Sequence, residues 1–324
     1  MRATKLSAKK KTKKVSSKSD DRLRIPDIGE IHEPSDDFAA YCYLIYGEKA
    51  MGKTTLLSQL SEKGLVCMFE DRENTPARML CFPSKTVEEM ENGEPDPWQD
   101  FKKVVEQALE SDNVDMLGID TIDMAFMACQ NSICMENGYT HPNDANDYGA
   151  TWNTIASEFR SVFEKVRKSG KITVVFTSHS SIDRMELNTA TKAELKKYTV
   201  YSPTCSKQAT DYVKKFCDFV FFYGKHGPHR GMHFRWTDNI WTACGNDNHF
   251  LDEEGTPISV LHMPSKLNAG KAFIAAFNNK PITPVLKFWD DLVEEEDDSS
   301  PSQEDDGEEE KPRSRPSKKP TKKK

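Results

Sequence analysis

Between Tyr41 and Tyr223 short apolar runs alternate with longer stretches whose apolar positions recur every three or four residues. The short runs, bounded by glycine or polar residues, predict buried strands; the periodic stretches predict amphipathic helices. Tyr41-Cys42-Tyr43-Leu44-Ile45-Tyr46 is the first such run and stops at Gly47. Thr54 to Glu62 follows with Leu56, Leu57 and Leu60 on one side of a helix, then Leu65 to Phe69 as a second strand. Gln99 to Leu109 places Phe101, Val104, Val105 and Ala108 at helical spacing. Val114 to Ile119 is a third strand, followed by a helix from about Ile122 to Met135, a polar loop over Asn137 to Tyr148, and a long helix over Ala150 to Ser169. Ile172 to Phe176 and Phe216 to Tyr223 are the fourth and fifth strands, and His233–Trp236 with Ile240–Ala243 suit a hairpin or edge strands. Strands alternating with helices of this length predict an α/β fold, with a mainly parallel sheet covered on both faces.

The junction of the first strand and first helix carries chemistry. Gly47-Glu48-Lys49-Ala50-Met51-Gly52-Lys53-Thr54-Thr55 fits GxxxxGK[ST], the phosphate-binding loop. Its two glycines permit backbone geometry that turns successive N–H groups toward an anion, and the following helix points its N-terminus the same way. In such a loop Lys53 reaches the β- and γ-phosphates and the Thr54 hydroxyl coordinates Mg²⁺. Lys49 either contacts phosphate or faces solvent. A second apolar strand ends in a carboxylate, Val114-Asp115-Met116-Leu117-Gly118-Ile119-Asp120, which suits Asp120 to hold the metal. Asp123 is a rival three residues on, though its position also fits an acid at a helix start. Together the motifs predict a P-loop NTPase domain that binds ATP and Mg²⁺.

Charge refines the domain limits. The 324-residue chain has a net charge of -7, which conceals segregation. Residues 1–24 hold ten Lys/Arg and two Asp; residues 290–310 hold thirteen Asp/Glu and no base; residues 311–324 hold eight Lys/Arg and no acid. Over 25–289, 27 basic and 37 acidic residues remain, a net of -10. The expected organisation is a disordered basic tail over 1–24, an ATPase domain over 25–293, and a disordered acidic-then-basic tail over 294–324. An acidic body argues against a broad duplex-DNA face. No run approaches the roughly 18 apolar residues of a membrane span, and no apolar stretch follows the basic N-terminus, so neither a membrane nor secretion is expected. The eight cysteines are scattered without a CxxC pair and read as reduced thiols of a cytosolic protein. Cys129 and Cys134, five apart on a helix, read as one core and one surface thiol.

With both motifs in hand, the chain resembles the RecA-like P-loop ATPases. It looks most like phage nucleotide-binding proteins of the Sak-type single-strand-annealing group, over roughly residues 38–263. The likeness lies in YGEKAMGKTT, CMFEDRE, GIDTID and VVFTSHS. It implies a catalytic glutamate after the second strand, matched here by Glu73, with Glu70 and Asp71 as alternatives. It also implies a γ-phosphate sensor after the fourth strand, matched by His179, whose other reading is a capping histidine. Asp147-Tyr148-Gly149 looks like a further motif of the group without an assigned role. The resemblance implies a Mg-dependent ATPase acting on single-stranded DNA in phage recombination or replication, in the host cytoplasm, as a homo-oligomer. No arginine stands out as a finger acting in trans; Lys225, Arg230 and Arg235 are candidates. A small-molecule P-loop kinase would want an arginine-rich lid, and 180–216 has one arginine, Arg184. A nucleotide-gated annealing protein with negligible turnover is the third reading.

Two further stretches were weighed. The histidines of His226–His233 could hold a metal, but their Gly/Pro-rich setting reads better as an exposed hairpin loop. Ser181 to Phe216 interleaves Arg184, Lys192, Lys196, Lys197, Lys207, Lys214 and Lys215 with Tyr198, Tyr201 and Tyr212. That mixture suits single-stranded nucleic acid, and equally a solvated loop and helix. The acidic tail could mimic nucleic acid, guard the DNA site or dock on a single-strand-binding protein; the basic ends could hold DNA nonspecifically.

Overall fold

Tyr43–Gly47 forms β1 and is buried along its whole length. Its side chains alternate between two cores: Leu44 and Tyr46 join one, Tyr43 and Ile45 the other. A strand buried on both faces must be covered by helices on both, and the chain supplies them. The structure is a computed structural model, and it describes residues 35–71, 79–187, 196–226, 229–237, 239–264 and 269–281. The tails over 1–24 and 294–324 lie outside the described residues, as does the unit Met1–Pro34.

After β1 come α1 (Lys53–Leu57), β2 (Gly64–Met68), β3 (Met79–Cys81), α2 (Val87–Glu91), α3 (Pro97–Glu110), β4 (Met116–Asp120) and α4 (Ile122–Glu136). Then follow α5 (Ala150–Ser169), β5 (Thr173–Leu187), β6 (Lys196–Pro203), α6 (Lys207–Phe216), β7 (Phe219–His226) and β8 (His229–His233). β9 (Ala243–Cys244), β10 (Val260–His262) and α7 (Ala269–Phe277) complete the described elements. The sheet runs β10-β8-β7-β1-β5-β4-β2-β3, with β6 paired to β5 and β9 to β7. The β3-to-β7 portion of that path is parallel; β8, β10, β6 and β9 add antiparallel pairs. This is the mainly parallel α/β architecture that the alternation predicts, and it matches the RecA-like P-loop fold that the resemblance implies.

One core is filled by α3, α4, α5 and α6, with Trp98, Phe101, Phe159 and Phe163 fully buried. The other lies under α1 and α7, with Leu56, Leu57, Phe273 and Phe277 against Phe219, Phe221 and Phe250. Burying each such side chain contributes about 1.5–3 kcal/mol, so the two faces hold the sheet edge-on to the site at its carboxyl ends.

Several elements differ from the expectation. α1 stops at Leu57, and Ser58 to Leu60 form turns, because the N–H groups of Gln59 and Leu60 bond only three residues back, to Leu56 and Leu57, which tightens the last turn out of α-helical geometry. Phe216 ends α6, packed on Phe176, and the fifth strand begins at Phe219. The fourth strand runs on past Phe176 to Leu187, since β6 pairs with it antiparallel from Ser180↔Pro203 to Leu187↔Lys196. The described residues of Ser181 to Phe216 thus form a strand pair and a helix where one reading expects a loop and helix; residues 188–195, with Lys192, lie outside the described residues. His226 and His229 pair across β7 and β8, as the hairpin reading expects, but His229 to His233 is strand rather than exposed loop and His233 is buried; residues 227–228 lie outside the described residues. Trp236 is exposed, and Ile240 makes isolated bridges to Tyr201 and Thr237. Cys129 and Cys134 are both buried, because α4 is covered on more than one side.

Candidate functional site

Register brings the site together. Gly47, the last residue of β1, pairs with His179 of β5 on one side and Tyr223 of β7 on the other. A Cβ on Gly47 would fall 1.8 Å from the Tyr223 carbonyl oxygen, so this position accepts no side chain. The loop then turns through Ala50 and Gly52, at φ 65° and 96°, into α1. Gly52 caps α1, and its carbonyl accepts from Leu56 N–H at 2.8 Å. Lys53 is buried; its Nζ donates to the carbonyl oxygens of Gly47 and Glu48, both at 2.8 Å. The lysine thus closes the loop on itself, over the space a phosphate would take. Met51 is buried in the α1–α7 core and Thr55 is half-buried, while Lys49 is exposed.

Asp120 ends β4 and is buried. Two hydroxyls hold its carboxylate: Thr54 Oγ1 donates to Oδ2 at 2.5 Å and Thr177 Oγ1 donates to Oδ1 at 2.6 Å. The predicted metal pair, Thr54 and Asp120, is therefore assembled from elements 66 residues apart. A hydroxyl and a carboxylate at the edge of a phosphate loop are hard oxygen donors, which suit Mg²⁺. The Asp120–Thr121 peptide is cis. Asp123 makes its own contacts. It sits in the first turn of α4 and accepts from Ser178 Oγ at 3.0 Å and Thr204 Oγ1 at 3.0 Å. It ties α4 to the base of the β5–β6 arm.

His179 faces an acid. Its Nε2 lies 2.6 Å from Glu70 Oε1, on the turn after β2. Glu73 lies outside the described residues, so the pair that the structure brings together is Glu70 with His179. The two line a cleft of about 1080 Å³ that also takes in Glu48, Lys49, Ala50, Asp71 and Ile182. The cleft opens between the phosphate loop and the base of the β5–β6 arm. His179 is also fixed through its backbone, whose carbonyl accepts from Thr204 N–H at 3.0 Å.

One neighbour of the loop carries no local sequence signal. Arg230, on β8, brings Nη1 to within 3.3 Å of where a Gly52 Cβ would stand, and the Tyr223 hydroxyl to within 3.9 Å. The Arg230 charge pulls the Tyr223 phenol downward, against the burial that raises it. Of the three candidates for a finger acting in trans, Arg230 thus lies against its own loop, Arg235 pairs with Asp247 at 3.0 Å, and Lys225 is exposed. Asp147 accepts from Gly149 N–H, Thr151 N–H and Thr151 Oγ1, so Asp147-Tyr148-Gly149 starts α5. Tyr148 is fully exposed.

The family model AAA_24, an AAA domain, matches residues 39–242. The match takes in both motifs, β1 through β8 and the arm. The chain belongs to this family of nucleotide-handling AAA domains. No curated protein matches it. Among solved structures, the RadB recombinase is similar at 14% identity and a TM-score of 0.32, over 60% of this chain and 80% of that one. Among the described residues no helix is long and apolar enough to cross a membrane.

Proposed function

We propose that the chain is a Mg²⁺-dependent ATPase of the RecA-like class that couples hydrolysis to single-stranded DNA. The observation that carries the reading is the contact between Glu70 and His179 at the end of the cleft beside the phosphate loop. ATP would bind along Gly47–Thr55, with Lys53 exchanging its two carbonyl contacts for phosphate oxygens. Thr54 and Asp120 would hold Mg²⁺, which supplies charge neutralisation at the β- and γ-phosphates. Glu70 is the carboxylate suited to orient the attacking water, and His179 fixes its position through the 2.6 Å contact. A γ-phosphate in the cleft would compete for the same imidazole, which frees Glu70 when substrate is present.

The DNA assignment rests on the arm. β5 leaves the cleft at His179 and continues without a break into the β5–β6 pair. The arm's sequence carries Arg184, Lys192, Lys196, Lys197, Tyr198 and Tyr201, which supplies phosphate contacts and stacking surfaces on an otherwise acidic body. A strand shared by the sensor and the arm is a direct mechanical route between nucleotide and DNA. A homo-oligomer would let the exposed Lys225 reach a neighbouring cleft.

The test is phosphate release with and without single-stranded DNA, for wild type, Lys53→Ala, Glu70→Gln and Glu73→Gln. Glu70→Gln is expected to keep ATP binding and to lower turnover by about 10²–10⁴-fold, the usual reach of a general base. Lys53→Ala is expected to lose both binding and turnover. Loss in Glu73→Gln with a normal Glu70→Gln would move the base three residues on. Tight binding of ATP and DNA by wild type without phosphate release would make the chain a nucleotide-gated binding protein.

A further inference from the structure

The β8 arginine beside the phosphate loop is not used by that scheme. We infer that Arg230 is a phosphate-binding residue acting in cis, a second cation that grips the nucleotide's phosphates opposite Lys53. The inference rests on the loop being a nucleotide site.

Four observations support it. The guanidinium is at the loop: Nη1 stands 3.3 Å from the ideal Cβ position of Gly52, the residue immediately before Lys53. A side chain at position 52 would press on it, so the glycine keeps this approach open as well as meeting its positive φ. The strand is held in place, since the Arg230 carbonyl accepts from Met263 N–H at 2.9 Å and β8 pairs with β7 through Lys225↔Arg230.

The partner of Arg230 is neutral. Burial holds the Tyr223 phenol above its ordinary range, against the opposing pull of the Arg230 charge, so the nearby hydroxyl does not neutralise the guanidinium. Arg167 and Arg235, by contrast, each pair with an aspartate, Asp218 and Asp247. Among the described residues no carboxylate pairs with Arg230. The guanidinium is half-buried and stands at Gly52, the loop residue before Lys53. The planar fork of arginine matches two phosphate oxygens at once.

The experiment is calorimetric titration of the full chain with Mg-ATP and Mg-ADP, alongside thermal unfolding without nucleotide. Arg230→Gln is expected to weaken both nucleotides by about 10–100-fold, the size of one or two charge-assisted hydrogen bonds, with the nucleotide-free melting temperature unchanged. Arg230→Met, which keeps the stem and removes the charge, is expected to do the same. Affinity in both variants is expected to fall less steeply with salt than in wild type, because one ionic contact is gone. Tyr223→Phe is expected to cost less than either. Wild-type binding, lost in Lys53→Ala but unchanged in Arg230→Gln and Arg230→Met, would overturn the arginine assignment alone. A fall in melting temperature with an unchanged salt slope would likewise overturn it and make Arg230 a brace for the loop. A wild type that gives no heat with Mg-ATP would instead remove the nucleotide site itself.

Discussion

On the β4–β5 side of the phosphate loop a carboxylate meets hydroxyls; on the β7–β8 side a guanidinium meets a phenol. Asp120 takes one hydroxyl from the loop, Thr54, and one from β5, Thr177, and so sits among oxygens. Arg230 has the neutral Tyr223 beside it and the loop backbone in front. On the proposed reading, one flank would hold a cation and the other an anion. A metal–phosphate complex is both at once, and this loop lies between the two kinds of partner. The difference teaches that polarity here comes from the strands on either side of β1, β5 and β4 on one and β7 and β8 on the other, not from the loop alone, whose own acid, Glu48, contributes a backbone carbonyl to Lys53.

The sharpest way to break the comparison is to remove the acid of the oxygen flank. Asp120→Asn keeps the shape and drops the charge; turnover is expected to fall by about 10²–10³-fold and the Mg²⁺ concentration for half-maximal rate to rise, read by phosphate release across a Mg²⁺ series. A full rate at ordinary Mg²⁺ would mean that the flank does not serve a cation. A smaller effect is expected from Thr177→Val. Its hydroxyl donates to a buried carboxylate, so its loss should cost about 1.5–3 kcal/mol in urea unfolding without nucleotide. If stability does not move, Asp120 is held by Thr54 alone.

The arginine flank is expected to reveal itself most gently, through alkaline pH. Burial raises the phenols of Tyr223, Tyr43 and Tyr46 above the ordinary value of 10.0. Below that value neither state is ionised and the contribution is complete. As pH climbs past it the unfolded chain releases protons that the folded chain retains, so stability declines until the folded phenols ionise too. Tyr223→Phe removes one of these groups, and its unfolding free energy is expected to fall less steeply above pH 10 than that of wild type. An identical slope would mean that Tyr223 is not held neutral beside Arg230.

Much of this site is legible before any fold is known. The loop Gly47–Thr55 can be recognised because a phosphate cradle is built from consecutive residues, and Asp120 because it ends an apolar run. His179 stands out only through a resemblance. Its partner does not: Glu70 and His179 are 109 residues apart, and nothing local singles out Glu70 over Glu73 or Asp71. The strand pairing of the arm escapes the apolar pattern because polar residues break the run at Phe176, yet antiparallel pairing holds a strand without a second buried face. α7, AGKAFIAAF, escapes notice because a nine-residue helix covered by the second core shows little polar face to mark its period.

By itself the sequence determined that a loop of the phosphate-binding pattern follows the first strand, that this strand is buried on both faces, and that a carboxylate ends another strand. These are properties of neighbouring residues, which chain connectivity alone enforces. Only the tertiary structure decided which side chains stand beside the loop: Thr177 on Asp120, Glu70 on His179, Arg230 on Gly52. Those pairs come from different strands, and strand order and register set them, as the sheet buries its two faces and leaves its carboxyl ends open.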